Sequence, residues 1–432
     1  MLDRISNGLE RLDFELASTF QFMKRQTQTS PQVADPSPSA MRAMWSLFIM
    51  PSLALAVVAA GVLAPASLEA QEAPLITITK SDKIALGLNA ISGPEGVNIS
   101  QVLQKDLQLS GTFTISLPAT ANYLISGVNS GSSLRGLMTE RGGRVVLERS
   151  YQGTARAQAH AFANDILETI TGVRGIAGSR IAFVSNRSGS KEIYLVDADG
   201  GNMEQRTRDS NISVSPRLSP DGRRLAYTGY QSGYADVYEI DLASGSRRRI
   251  MKYPGTNSGA CYSPDGNRFA VTLSKDGNPE LYVTGSSGDS PRRLTMTSGV
   301  ESSPSWSPDG REIIYSSDSS GSPMLYRISA SGGSPSQIRT GHSYNTEPNW
   351  SPDGKRVAFN VREGGTFQVA VLELGSGQVR LLGEGQDPVW GPDSRHVVYA
   401  NSGSLVLLDV VTSQRNAIVS GLGKISEPTW AR

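Results

Sequence analysis

Ser219-Pro220-Asp221-Gly222, Ser263-Pro264-Asp265-Gly266, Ser307-Pro308-Asp309-Gly310 and Ser351-Pro352-Asp353-Gly354 begin 44 residues apart each time. A fixed period between about 20 and 50 residues marks a repeat architecture, whose units bury their apolar faces only against their neighbours. A degenerate copy, Gly391-Pro392-Asp393-Ser394, follows 40 residues after the fourth. Behind each phrase runs an alternating stretch that reads as a strand: LAYTGY from Leu225, FAVTLS from Phe269, IIYSSD from Ile313, VAFNVR from Val357 and VVYANS from Val397. Stepping back 44 from Leu225 reaches Ile181 in IAFVSN, which has the pattern but lacks the phrase. The missing piece lies at the other end, where Glu427-Pro428-Thr429-Trp430 matches Glu347-Pro348-Asn349-Trp350. Six strand sets, the first completed by the C-terminus, predict a closed six-bladed β-propeller over 178–432 with no open sheet edge.

Within a blade the residue roles are legible. Asp-Gly suits a tight turn, because Gly allows φ > 0 and Asp bonds the backbone two residues on. The aromatics before the phrase (Tyr262, Trp306, Trp350, Trp390, Trp430, with Leu218 once in their place) are expected to pack between blades. Tyr194, Tyr238, Tyr282 and Tyr326 keep the same phase on a third strand.

Ahead of the repeats the pattern changes. Over 71–177 the sequence predicts a small α/β domain: strands at 75–79, 123–128 and 144–148, a short helix at 101–109, and a helix over 155–171 that Gly172 ends. The fold class is therefore mainly β, a C-terminal six-bladed propeller with a small N-terminal α/β domain. Residues 1–70 read as a polar extension and an export signal, with an uncharged apolar stretch at 45–63 and small residues at Ala64, Ala66 and Ala70. Release near Ala70 would send the chain to the periplasm with no direct membrane insertion; the competing reading is an uncleaved anchor.

Charge and composition narrow the function. With 41 Lys and Arg against 40 Asp and Glu, and no long run of one sign, nucleic acid is not an expected partner. Cys261 is the single cysteine, so no intramolecular disulfide or cysteine-based zinc cluster can form. No Gly-x-Ser-x-Gly elbow is present, and of the three histidines, His160, His342 and His396, the first and last read as packing or surface groups, so no catalytic residue is assigned.

The order of export signal, α/β domain, Ile170-Thr171-Gly172-Val173-Arg174-Gly175, strand Arg180-Ile181-Ala182-Phe183-Val184 and six blades resembles the TolB family of the Tol-Pal system. The phrase Lys105-Asp106-Leu107-Gln108-Leu109-Ser110-Gly111-Thr112-Phe113 resembles that family's first-helix region. The resemblance implies a monomeric, non-catalytic periplasmic scaffold. It would bind the peptidoglycan-associated lipoprotein (Pal) on one propeller face and TolA through the N-terminal region, maintaining outer-membrane integrity and supporting cell division. Carried onto this chain, the partner face takes Thr256, Asn257, Ser258, Gly259, Glu301, Ser302, Tyr344, Asn345 and Thr346.

One equivalent blade position holds Ser215, Gly259, Ser303, Glu347, Asp387 and Glu427, which puts an acid in three consecutive blades. Two readings stay open. Glu347, Asp387 and Glu427 would suit a hard divalent ion such as calcium in the channel, or would be carboxylates bonded to amides of the neighbouring blade. The alternative function is a hydrolase or regulatory propeller using this acidic channel; a glycan-binding propeller ranks lower, since Tyr344 is almost the sole aromatic of these loops.

Overall fold

The computed structural model describes residues 83–431, so the export signal and the strand expected at 75–79 lie outside the described residues. The chain first builds β1 (Ile84–Ser92), α1 (Gly96–Leu109), β2 (Phe113–Ser116), β3 (Tyr123–Asn129), β4 (Ser133–Glu140), β5 (Val145–Gln152) and α2 (Ala155–Thr171). These strands form one sheet in the order β2-β1-β3-β4-β5, with β1 parallel to β2 and β3 and the remaining pairs antiparallel. Both helices cover it, and Ile99, Leu103, Leu107, Phe162 and Ile166 are fully buried there.

Helix α2 has the bounds the sequence predicts. Thr154 caps it by accepting from the Ala157 amide at 3.3 Å, and Gly172 ends it at φ 73°. Helix α1 begins at Gly96, before the expected start, and β1, β2 and β4 were not expected. In β4 the inward positions are Leu134, Gly136 and Met138. A Cβ on Gly136 would lie 2.8 Å from the Phe162 ring, so close helix packing demands glycine where an apolar alternation would need a side chain.

The rest of the described chain forms six four-stranded antiparallel sheets. Blade 1 spans 180–205 and takes its innermost strand from Ile425–Ala431; blades 2 to 6 span 213–251, 257–293, 301–337, 345–384 and 386–419. Ring closure is explicit in the register, with Ile425 opposite Ser185 and Trp430 opposite Ile181.

Each Ser-Pro-Asp-Gly phrase folds in the same way. Ser219 Oγ donates to Asp221 Oδ1 at 2.6 Å and accepts from the Arg224 amide at 2.9 Å, while Gly222 takes φ 66°. These bonds from Ser219 and the Arg223 amide hold the Asp221 carboxyl below the usual carboxylate range, and the same pattern recurs at Asp265 and Asp309. In blade 6, where Gly391 replaces the serine, His396 takes over: its Nδ1 lies 2.6 Å from Asp393 Oδ2, fully inside the blade. The preceding aromatics sit between blades as expected, with Arg224 over Tyr262, Arg268 over Trp306 and Arg356 over Trp390 at 4.7 to 5.4 Å.

The two units are joined by polar contacts. Arg156 of α2 binds Asp197 at 2.9 Å and Asp199 at 2.7 Å in blade 1, and His160 of α2, whose Nδ1 is held by Asp106 of α1 at 2.6 Å, turns its Nε2 to within 3.7 Å of Asp197. Arg395 of blade 6 donates to Thr112 Oγ1 at 2.9 Å. At Gly111, with φ 69°, an added Cβ would meet Asp409 Oδ2 at 2.1 Å.

Candidate partner face and central channel

The position that carries the three acids is a bulge in every blade. Ser215, Gly259, Ser303, Glu347, Asp387 and Glu427 all adopt φ between 50° and 63°, and the pairing of each innermost strand with the second shifts register across that point. A left-handed non-glycine residue costs about 1 kcal/mol or more. Bearing that cost at five non-glycine positions re-aims the side chains around the channel.

Two acids bond forward to the next blade. Asp387 Oδ2 accepts from the Glu427 amide at 2.8 Å, and Glu427 Oε2 accepts from the Ser215 amide at 2.5 Å and the Ser215 hydroxyl at 3.2 Å. The same forward sense recurs elsewhere in the ring: Ser305 Oγ accepts from the Trp350 amide, Asn349 Oδ1 from the Trp390 amide, and Thr429 Oγ1 from the Leu218 amide. Glu347 instead faces Ser303 in the blade behind it, whose hydroxyl favours the charged carboxylate.

Burial, followed by the negative charges of Glu347 and Glu427, raises the Asp387 carboxyl to about 7. Burial also raises Glu347. The positive charge of Arg217 opposes both shifts. Glu347, Asp387 and Glu427 remain partly open to water, which reaches them through the channel. Carboxylate oxygens suit calcium, but these three do not bring ligand atoms within 4.8 Å of one another; the described trio that does is His160, Asp197 and Asp199, and Arg156 already bonds both aspartates there. As a metal set, the three channel acids do not fit: Asp387 and Glu427 bond amides instead.

The nine residues assigned to the partner face divide. Asn257, Glu301 and Asn345 are 0% exposed, so their side chains cannot touch a partner, which corrects that assignment. They head the innermost strands and organise the loops beneath the surface; Asn257 Oδ1 accepts from the Tyr253 amide and its Nδ2 donates to Tyr253 O and Ala235 O. Thr256 and Thr346 are also buried, while Ser258, Gly259, Ser302 and Tyr344 stay half-open. Tyr344 packs edge-on against Phe367, with Arg362 over its ring at 5.8 Å.

The exposed part of these loops begins earlier than the sequence suggested, at Lys252, Met296, Ser298 and Arg339, and Tyr234 joins them from a hairpin of the same face. Met296 is 83% and Tyr234 66% exposed, large apolar groups in water. The repeat phase could have located them, because each lies a few residues ahead of a buried strand head.

A sequence profile of the TolB beta propeller domain matches residues 167–432. The chain belongs to the TolB β-propeller family. Its sequence is 34% identical over 195 residues to a TolB homolog of Chlorobaculum tepidum, covering 37% of this chain and 44% of the relative. A Tol-Pal system protein TolB of Geobacter sulfurreducens is 33% identical over 156 residues, 29% of this chain and 36% of the relative. The matched segments thus span less than half of these curated TolB relatives. A crystal structure of TolB from Acinetobacter baumannii superposes with a TM-score of 0.74 at 25% identity, covering 82% of this chain and 98% of that one. Both the α/β domain and the propeller are therefore features shared with a solved TolB.

Proposed function

We propose that this protein is a non-catalytic periplasmic scaffold of the Tol-Pal complex. It docks the peptidoglycan-associated lipoprotein on the propeller face carrying Met296, Tyr234, Ser302 and Tyr344, and it reaches TolA through the N-terminal region. In that role it maintains outer-membrane integrity and supports cell division. The observation that carries this reading is an accessible apolar and polar face above a channel whose acids bond the ring itself. Among the described residues no helix is long and apolar enough to cross a membrane. Each histidine is bonded to a carboxylate: His396 to Asp393 and His160 to Asp106 in the interior, and His342 to Glu363 at the surface. A pull-down from envelope extract with the chain from Gln71 onward tests the reading. Recovery of an outer-membrane lipoprotein supports it, and recovery of none in any condition overturns it.

A further inference from the structure

Four blades place two residues face to face 21 positions apart, the head of a third strand and the head of the following blade's innermost strand: Glu192 with Ser213, Asp236 with Asn257, Glu280 with Glu301, and Met324 with Asn345. The backbone contact is the same in all four, since the amides of Ser213, Asn257, Glu301 and Asn345 donate to Lys191, Ala235, Pro279 and Pro323 carbonyls. Three of the strand heads carry a donor; Asn257 Nδ2 donates to Asp236 Oδ1 at 3.4 Å and Asn345 Nδ2 to Met324 Sδ at 3.4 Å. Only in the third pair does a carboxyl stand where the others have a donor.

Glu280 and Glu301 are both fully buried. Glu280 Oε1 accepts from Arg293 Nη2 and the Thr297 amide, each at 2.8 Å, and Glu301 Oε1 accepts from Thr297 Oγ1 at 2.9 Å and Ser317 Oγ at 2.7 Å. The second oxygen of each, Oε2, has no partner. Two buried carboxylates with orphan oxygens would be costly, whereas one proton between them satisfies both at once. Arg293 already balances one negative charge, so one proton leaves the group neutral.

We infer that Glu280 and Glu301 share one buried proton, and that this proton latches the 294–300 loop of the partner face. Thr297 is the staple, since its amide binds one carboxyl and its hydroxyl the other. Met296, 83% exposed, is the neighbour it holds in place. The charged and titratable groups around the pair are Arg293 on the outermost strand, Tyr282 and Asp276 on the third strand and its turn, Tyr315 on the second strand of blade 4 and Asp318 in the turn after it. Burial, then the bond to Glu280, raise the Glu301 carboxyl to about 8 against the bonds from Ser317 and Thr297. The proton is lost as pH rises through that value, after which two facing carboxylates repel and the loop loosens. The link from loop to docking rests on the function proposed above; the proton itself does not.

Glu301→Gln supplies a permanent donor in place of the proton. The folded wild type holds one proton more than the unfolded chain between the ordinary value of 4.5 and about 8. The wild-type unfolding constant, taken relative to Glu301→Gln, should therefore rise about tenfold per pH unit across that window and level off above it. Between about pH 7, where Asp387 has given up its proton, and about pH 8, infrared spectroscopy of the wild type should show a protonated-carboxyl band that disappears at higher pH and is missing from the variant. Lipoprotein recovery should weaken above that pH for the wild type and hold for Glu301→Gln. Parallel curves with no such band overturn the latch, as do curves that separate only after chelation, which would put a cation in the proton's place. If the variant does not fold, the wild-type band decides. A band and step without lipoprotein recovery at any pH would confirm the proton and overturn its docking role.

Discussion

Replacing Asp387 by asparagine separates the two readings of the channel acids. The folded pKa of Asp387 is raised from 3.8 to about 7, so the folded state holds this proton while the unfolded chain has lost it. Its contribution to stability is fully present below 3.8 and is lost as pH rises through about 7. About three pKa units at about 1.4 kcal/mol each set a ceiling near 4 kcal/mol, and channel water reduces it to about 2 kcal/mol. Asparagine keeps an oxygen for the Glu427 amide and removes the repulsion from Glu347 and Glu427. Above about pH 7 Asp387→Asn should therefore be more stable than the wild type by about 2 kcal/mol, and the two should converge in acid. Asp387→Ala leaves that amide unpaired and should fall below Asp387→Asn by about 1–3 kcal/mol. Urea midpoints across this pH range, with and without chelator, give the answer. A wild type more stable than Asp387→Asn at neutral pH, with the advantage abolished by chelation, would refute amide capping and establish a bound cation.

Three further outcomes follow from the geometry. Gly111→Ala forces a Cβ toward Asp409 in a left-handed conformation, which costs about 1–2 kcal/mol before any clash; limited proteolysis between the α/β domain and blade 1 should accelerate. Arg156→Met strips Asp197 and Asp199 of their shared guanidinium, leaving only His160 at 3.7 Å from Asp197, and chemical denaturation should show a loss of about 3 kcal/mol, the lower end because Arg156 is partly exposed. Ending the chain before Ile425 strips blade 1 of its innermost strand and opens a sheet edge, so size-exclusion chromatography should show association in place of a monomer peak.

The propeller was readable because its period repeats the same chemistry in each turn. Ser219, Asp221 and Gly222 form a self-contained bonded unit, so the phrase names its own structure wherever it recurs. The ring closure was readable for the same reason, since Glu427 to Trp430 repeats a strand found elsewhere in the chain. Strand β4 escaped because Gly136 meets Phe162 from a helix distant in sequence, a constraint no local pattern carries. The six bulges escaped too: positive φ at Asp387 or Glu427 is no local preference of an acid before proline, and the forward bonds between blades hold it. On the partner face the sequence located the loops but not their exposed residues. Asn257 and Asn345 look like polar loop groups until the chain entering the neighbouring third strands, at Ala235 and Met324, closes over their side-chain amides.

The most direct measurement titrates the purified soluble domain of the peptidoglycan-associated lipoprotein into the chain from Gln71 onward, by calorimetry. The same titration is run on Met296→Ala with Tyr344→Ala, on Asp387→Asn, and on Asn257→Ala. Saturable binding that the face variant weakens at least tenfold and Asp387→Asn leaves unchanged is the expected result. The buried Asn257→Ala should act through folding stability. No binding by the native chain, or binding lost with Asp387→Asn and untouched by the face variant, would contradict the scaffold and move the function into the channel.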